Sequence, residues 1–238
     1  VNELVKFVKG LDDNITVNLD FIYGLPGQSK QSFSQTIKKA IDVKPDRLVT
    51  FSYAHVPWIK KNQEILEKLD IPAPSEKIDM FLSAYNLLKE GGYVPIGMDH
   101  YALPGDELSI ALKNKQLQRN FQGYCTRRTT GQVYAFGTTA ISQLAGGYAQ
   151  NTKDIRTYID TVNQGKLPLH KGYIVSEEQM IIKEVITGVM CNKYLNWNNI
   201  AKKLHIEPGK LKKVVGFRPE SFVEFVKDGL ARIDEEEI

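Results

Sequence analysis

Residues 18–53, NLDFIYGLPGQSKQSFSQTIKKAIDVKPDRLVTFSY, decide the fold class of this chain. The mostly apolar, partly β-branched run at residues 16–23 leads into a Gly-Leu-Pro-Gly turn, which indicates a buried strand. Apolar residues then recur at helical spacing over residues 33–43, and Pro45 ends that helix before a second strand at residues 47–53. The stretch is therefore predicted to form one β-α-β unit, which is typical of a parallel sheet.

The same alternation continues along the chain. Residues 75–90 have the pattern of a capped helix, and residues 93–97 form a third predicted strand. Alternating strands and helices favour a parallel sheet, open or barrel-like, that binds ligands at the carboxyl ends of its strands. Later helices are predicted at residues 154–163, 176–191, 197–204 and 219–228, before a last strand at residues 231–234. We predict two domains, residues 1–150 and a smaller, mainly helical domain with a partial wing at residues 151–238.

Composition argues against several classes of protein. The chain of 238 residues carries a net charge of +3 with 25% charged residues and lacks a basic recognition face, so neither nucleic-acid binding nor a helix-turn-helix regulator is favoured. No apolar run reaches the roughly 18 residues of a membrane span, and no signal peptide is recognisable. Two cysteines are too few for a disulfide framework or a metal cluster, so we expect a cytoplasmic protein without a metal site.

Both ends of the sequence have the pattern of interrupted elements. The chain begins without Met inside an amphipathic helical pattern and finishes on a strand-like segment with no turn after it. We therefore expect a fragment of a longer protein.

Asp20 is the first candidate site residue. A carboxylate inside an apolar strand costs several kcal/mol unless it is paired or faces a ligand. Two interpretations stay open: a structural carboxylate bonded to a backbone group or an arginine, or an acceptor for the hydroxyl or amine groups of a ligand. Further polar residues, His55, Asp99 and His100, stand at the ends of the second and third predicted strands.

Two later segments combine residues that suit a ligand. The segment RNFQGY, with Arg119 and Gln122, mixes polar and aromatic residues that are expensive to bury, so it suggests a ligand loop, although an ordinary hydrogen-bonded loop would contain the same residues. Arg127 and Arg128 add positive charge suited to carboxylates or phosphates. In AFGTTAIS, small residues would let the backbone approach a flat ligand beside Ile141, and close helix packing explains them equally well.

In chain order, DFIYGLPGQS, SYAHVPW, GMDHYALPGDEL, RNFQGYCT, TAIS and YAQN resemble the oxygen-independent coproporphyrinogen III oxidases, radical S-adenosylmethionine enzymes of haem synthesis. The resemblance implies an α/β fold: the C-terminal part of a partial TIM-like (β/α)6 barrel, followed by a smaller, mainly helical, winged-helix-like domain. It also implies the oxidative decarboxylation of two propionates of coproporphyrinogen III to vinyls, giving protoporphyrinogen IX. This reaction proceeds through reductive cleavage of S-adenosylmethionine, hydrogen abstraction from the propionate, and loss of CO2 and one electron.

The resemblance also implies site residues and cofactors. Asp20, Ala54 and Ile141 match family positions that contact S-adenosylmethionine, so we expect them to line one pocket. A carboxylate-rich substrate would suit Arg119 on charge alone, and Gln122 of the same segment is a further candidate substrate contact. The partners would be coproporphyrinogen III and an electron donor and acceptor, and no catalytic residue is assigned. The family holds a 4Fe–4S cluster on a Cys-x3-Cys-x2-Cys loop that this chain lacks. We therefore expect the fragment to bind neither cluster nor S-adenosylmethionine and to be inactive, unlike its longer parent.

A second interpretation within the same superfamily is a haem-trafficking protein that binds haem. Such relatives typically carry His-Asn-x-x-Tyr-Trp where this chain reads RNFQGY, which makes this alternative less favoured.

Overall fold

A computed structural model describes residues 1–12, 14–126 and 132–238 of the protein, which form two compact units, residues 1–110 and 111–238. The first unit contains α1 (Asn2–Lys9), β1 (Asn18–Tyr23), α2 (Lys30–Val43), β2 (Arg47–Ser52), a 3₁₀-helix (Lys61–Lys68), α3 (Pro74–Glu90), β3 (Val94–Gly97), β4 (His100–Ala102) and the beginning of α4 (Glu107–Lys113). The predicted β-α-β unit is confirmed. Capping side chains begin both central helices: Ser29 accepts a hydrogen bond from the Ser32 N–H, and Glu76 accepts one from the Ala73 N–H.

The sheet of the first unit differs from the predicted parallel arrangement. Its four strands lie in the order β1-β2-β4-β3; β1 and β2 are parallel, whereas β4 is antiparallel to both of its neighbours. The sequence reasoning missed β4. The chain leaves β3, turns at Met98, whose φ of 49° is left-handed, and returns as a three-residue strand. A strand this short carries too few residues for a recognisable period of two.

The burial predicted for the first strand is also wrong. Residues alternate along β1, so that Leu19, Phe21 and Tyr23 pack on the core while Asp20 and Ile22 are exposed. One face of the sheet packs against α2 and α3, through a core of Phe33, Ile37, Ala40, Leu48, Met80, Ala84, Leu88, Tyr93 and Tyr101. Asp20 therefore sits on the open face of a half-buried strand.

The second unit contains β5 (Leu117–Asn120), β6 (Gly123–Thr126), β7 (Ile141–Leu144), β8 (Gly147–Asn151), α5 (Ile155–Asn163), β9 (Leu169–Ile174), α6 (Glu177–Asn192), α7 (Trp197–Leu204), α8 (Pro208–Val214), a 3₁₀-turn (Pro219–Phe222) and α9 (Val223–Lys227). β5 and β6 form a hairpin, and β7, β8 and β9 form an antiparallel sheet. The helices predicted at 154–163, 176–191 and 197–204 are confirmed. The predicted strand at residues 231–234 is wrong, because these residues are irregular and pairing occurs instead at an isolated bridge between Asn196 and Glu237.

A side-chain contact joins the β5–β6 hairpin to the helices of the second unit. The Asn192 side chain on α6 accepts a hydrogen bond from the Leu117 N–H at 2.9 Å and donates one to the Leu117 carbonyl at 3.2 Å. This contact helps to explain why the compact units divide before residue 111, whereas the domain boundary at residue 150 stays a prediction. Within the described ranges, no helix is long and apolar enough to cross a membrane.

Candidate functional site

Asp20 projects from the open face of β1, where its backbone is in register with Val49 of β2. The Asn18 side-chain amide donates a hydrogen bond to Asp20 Oδ1 at 2.6 Å. Within the described part of the chain, this is the hydrogen bond that the Asp20 side chain makes, and no arginine pairs with it. An ionised carboxylate has room for several donors, so Asp20 keeps the capacity to accept bonds from a ligand.

The Gly-Leu-Pro-Gly turn after β1 is closed by Gln28, a residue that the sequence reasoning missed. Its side-chain oxygen accepts hydrogen bonds from the Gly24 N–H at 2.7 Å and the Leu25 N–H at 3.2 Å. Gly24 has a φ of +80°, and a Cβ there would lie 2.8 Å from the Lys77 side chain. The sharp turn therefore needs glycine for its left-handed backbone, whereas the flexible Lys77 side chain could move away from a Cβ.

Ala54 follows β2 in an exposed segment that Gln63 holds. The Gln63 side chain donates to the Ala54 carbonyl at 3.2 Å and accepts from the Val56 N–H at 2.7 Å. Asp20 is in register with Val49, so Ala54 lies five residues further along, or about 16 Å of extended chain. Because β2 ends at Ser52, this length is an upper limit for the offset between Asp20 and Ala54 along the strands.

Asp99 and His100 contact each other at the turn between β3 and β4. His100 Nδ1 lies 2.7 Å from Asp99 Oδ1, and the His100 ring packs against Phe51 with 6.5 Å between ring centroids. His55 Nε2 lies at hydrogen-bond distance, 3.3 Å, from Glu67 Oε1. Among the described residues, no group of three or more His, Cys, Asp or Glu side chains is placed to hold a metal ion.

A cleft of about 470 Å³ in the second unit brings together two of the sequence motifs. Gln122 lies at the tip of the β5–β6 hairpin, and Ile141 begins β7 on the other side of the cleft. Tyr134 and Phe136 also line it, and the Phe136 side chain is 88% exposed. We call this the Gln122–Ile141 cleft. It joins RNFQGY to TAIS, as expected if both motifs serve one site.

Asn151 and Tyr158 fix the loop that precedes Ile141. The buried Asn151 amide donates to the Gly137 carbonyl at 2.9 Å, and the Gly137 N–H donates to the Tyr158 hydroxyl at 2.9 Å. Gly137 has a φ of +98° and no atom within 4 Å of a Cβ placed there. At Gly137, the open space around the Cβ position argues against close helix packing, and the left-handed backbone explains the glycine.

Of the arginines predicted near the substrate, the structure describes one. Arg119 lies on β5 beside the Gln122–Ile141 cleft, with its guanidinium carbon 5.4 Å from the centroid of the Tyr124 ring. Arg127 and Arg128 lie outside the described residues. Asp20 and Ala54 belong to the first unit and Ile141 to the second, so a common pocket for these three residues stays a prediction.

Comparison with known proteins identifies relatives over most of the chain, although no protein-family model matches it. It is 39% identical over 207 residues to the oxygen-independent coproporphyrinogen III oxidase of Helicobacter pylori J99, covering 87% of this chain and 45% of the relative. It is 36% identical over 225 residues to the protein of that name from Escherichia coli K12, covering 94% and 48%. A solved structure described as the E. coli coproporphyrinogen III oxidase, a radical SAM enzyme, matches at 33% identity with a TM-score of 0.87, covering 99% of this chain and 53% of that chain.

This chain belongs to the oxygen-independent coproporphyrinogen III oxidase family. It spans about half the length of the curated family members it matches. The α/β architecture expected from the sequence agrees with the structural match to the E. coli coproporphyrinogen III oxidase. Four residues come from the motifs that suggested this family. Asp20 and Ala54 belong to the first unit, and Gln122 and Ile141 belong to the second.

The cysteines of this coproporphyrinogen III oxidase family member do not suit a 4Fe–4S cluster, which needs thiolate ligands. The sequence has two, Cys125 on β6 and Cys191 at the end of α6, and both belong to the second unit. Burial raises the pKa of the Cys125 thiol, and burial raises the pKa of Cys191 to about 11. Both thiols are therefore protonated at neutral pH. A thiol releases its proton when it binds a metal, so the number of cysteines decides the fit. Two cysteines are fewer than the three thiolates of the family's cluster loop, so the residues of this chain do not fit the cluster.

The raised pKa values predict slow, pH-dependent alkylation. In the folded chain, Cys191 should react with iodoacetamide at pH 8 at least tenfold more slowly than in urea, because the thiolate is the nucleophile. The rate should rise between the ordinary thiol pKa of about 8.5 and the folded value of about 11. Mass spectrometry of the labelled peptides measures both cysteines separately. Equal rates at pH 8 for folded and unfolded Cys191 would contradict the burial of this thiol.

Proposed function

We propose that this chain forms part of an oxygen-independent coproporphyrinogen III oxidase, which converts coproporphyrinogen III to protoporphyrinogen IX by oxidative decarboxylation of two propionates. The observation that carries the proposal is the Gln122–Ile141 cleft, where the motif most specific to the family meets the segment assigned to the cofactor. The substrate is coproporphyrinogen III, the other partners are an electron donor and acceptor, and the protein acts in the cytoplasm.

The proposed cofactor site uses Asp20, Ala54 and Ile141. The exposed Asp20 carboxylate accepts hydrogen bonds from S-adenosylmethionine, and Ala54 and Ile141 contact it through backbone and apolar surface. Asp20 lies on β1 and Ala54 follows the neighbouring parallel strand β2, which supports their assignment to one edge of the sheet. In this family the bound cofactor supplies radical chemistry next to an iron–sulfur cluster, whereas the residues of this chain position and shield the reactants.

The proposed architecture is the C-terminal part of a partial (β/α)6 barrel with a winged-helix-like domain after residue 150. The parallel β1–α2–β2 unit, with one face of β1 exposed, supports the barrel. The cluster of α6, α7 and α8 around Trp197 and the bridge between Asn196 and Glu237 support the second domain.

A chimera tests the function of this chain. Replacing the matched segment of the E. coli relative by this chain combines it with the remainder of a known coproporphyrinogen III oxidase. We expect anaerobic conversion of coproporphyrinogen III to protoporphyrinogen IX that requires S-adenosylmethionine and a reductant, measured as porphyrin fluorescence after oxidation and chromatography. A chimera that holds its cluster and cleaves S-adenosylmethionine, but forms no protoporphyrinogen IX, would exclude the proposed function.

The chain alone should bind no 4Fe–4S cluster, even after anaerobic reconstitution with iron and sulfide. Two cysteines cannot provide three thiolate ligands. Iron and sulfide analysis of the desalted protein should therefore give far less than one cluster per chain, while the chimera serves as the positive control. About four irons per chain, with 5′-deoxyadenosine formed on reduction, would show that the argument from the cysteines is wrong.

A further inference from the structure

A groove of about 390 Å³ lies between the β5–β6 hairpin, β8 and α6 in the second unit. Its walls include Arg119, Phe121, Tyr148, Lys183, Ile186 and Met190, and we call it the β5–α6 groove. We propose that this groove binds a carboxylate-bearing edge of the substrate, with Lys183 on α6 as a carboxylate contact. The inference rests on the proposed function and assigns a substrate-binding residue that the motifs do not contain.

Two aromatic rings form one wall of the groove, and a lysine ammonium group lies over one of them. The Phe121 and Tyr148 rings meet edge to face, with centroids 5.3 Å apart and an interplanar angle of 84°. Lys183 Nζ lies 5.3 Å from the centroid of the Tyr148 ring, so its ammonium group lies over this wall. A cation over an aromatic face is stabilised there and still has N–H groups available for an anion.

The charged side chains that line the groove suit a ligand with carboxylate groups. Its described lining contains two cationic side chains, Arg119 and Lys183, and no Asp or Glu. The next residue on α6, Glu184, is already paired with Lys203. In the described part of the chain, Lys183 forms no ion pair with a carboxylate. Its charge is therefore available to a ligand, and a charge-assisted hydrogen bond is stronger than a neutral one.

The apolar side chains of the groove favour a ring system over a small inorganic anion. Phe121 is 59% exposed, Ile186 54% and Met190 43%, which places a band of accessible apolar surface next to the two cations. Free phosphate would gain nothing from that surface, whereas a flat apolar molecule with carboxylate side chains would use both parts. The groove's volume is near the lower limit of ligand pockets, about 300 Å³, so it suits one edge of a large molecule.

The groove is continuous with the site proposed for the reaction. Asn120, Phe121 and Gln143 line both the β5–α6 groove and the Gln122–Ile141 cleft. A macrocycle that occupies the cleft would therefore reach the groove with a neighbouring edge. On this arrangement Lys183 fixes the orientation of the ring, and the propionates that react face away from α6.

Binding of coproporphyrin III, the stable oxidised form of the substrate, tests the proposal in the 238-residue chain. Fluorescence titration should give at least about tenfold weaker binding for Lys183→Met, as expected for loss of a hydrogen bond to a charged group. Lys183→Arg should keep most of the affinity. The matched control is Lys202→Met, an exposed lysine on α7 outside the groove, which should bind as the wild type does. Circular dichroism verifies that each variant keeps its helices.

A second probe separates carboxylate recognition from apolar binding. The tetramethyl ester of coproporphyrin III should bind more weakly than the acid, and Lys183→Met should not alter its affinity. The proposal is overturned by equal binding of acid and ester, by equal effects of Lys183→Met and Lys202→Met, or by no binding of coproporphyrin III to the wild-type chain. A chimera that holds its cluster and cleaves S-adenosylmethionine but forms no protoporphyrinogen IX, combined with Lys183-dependent porphyrin binding, would exclude the proposed function and leave the groove assignment in place.

Discussion

Replacing Arg47 with methionine is expected to lower the free energy of unfolding of the first unit by about 3–5 kcal/mol. Arg47 Nε donates to Asp106 Oδ2 at 2.8 Å, and Nη2 donates to Glu107 Oε1 at 2.8 Å. The Asp106 side chain is only 2% exposed, and its other oxygen accepts from the Leu108 N–H at 2.8 Å at the start of α4. Without the guanidinium, a buried carboxylate loses its counter-charge, which costs much more than loss of a surface pair.

Urea denaturation followed by circular dichroism measures this loss, and hydrogen exchange of the β2 amides assigns it to the first unit. Lys9→Met is the matched control, because the ion pair of Lys9 with Asp46 is more accessible, with the two side chains 34% and 21% exposed. Its cost should not exceed about 1 kcal/mol. Similar losses for the two variants would mean that the burial of Asp106 adds little to the Arg47 interaction.

Asp20→Ala in the chimera is expected to weaken S-adenosylmethionine binding by about 1.5–3 kcal/mol, the range for hydrogen bonds to a charged group. This corresponds to an affinity about 10–150 times lower. The fold should survive, because Asp20 is exposed and its hydrogen bond comes from the neighbouring Asn18 side chain. Isothermal titration calorimetry gives the affinity, and the urea midpoint verifies the fold.

Two further variants make the Asp20 result specific. Asp20→Asn removes the charge but keeps an acceptor oxygen, so its affinity should lie between those of the wild type and Asp20→Ala. Asp42→Ala removes an exposed carboxylate from α2 and should leave the affinity unchanged. If Asp20→Ala also binds the cofactor normally, Asp20 has a structural role and the proposed cofactor contact is lost.

Local patterns predicted those parts of the fold that depend on neighbours along the chain. The β-α-β unit and three later helices have clear periods and caps, such as Asp154 at the beginning of α5. The exposure of Asp20 was also readable, since Asn-Leu-Asp-Phe alternates polar and apolar residues as a half-buried strand does. The apolar residues that follow suggested full burial. The insertion of β4 between β2 and β3 depends on tertiary pairing, which no local pattern reports.

In the candidate site, too, local motifs predicted some residues, whereas others depend on tertiary contacts. Motifs identified Gln122 and Ile141, and the structure places them on one cleft. Asn151 and Lys183 were missed for different reasons. Asn151 belongs to the motif YAQN, but its role depends on a contact outside that motif. Its side chain donates a hydrogen bond to the Gly137 carbonyl, in a loop that precedes β7. Lys183 follows an ordinary helical pattern, and it becomes a candidate only when Tyr148 is packed beneath its ammonium group.

The position of β4 has a consequence for the order in which the first unit folds. β3 and β4 are joined by a turn at Met98 and Asp99, so their pairing closes a minimal loop, whereas β1 meets β2 only after the intervening chain has folded as α2. Contacts between residues close in sequence cost little chain entropy and form early, and parallel pairing across a crossover forms late. The β3–β4 hairpin is therefore expected to form first and to present the edge of β4 as a template for β2.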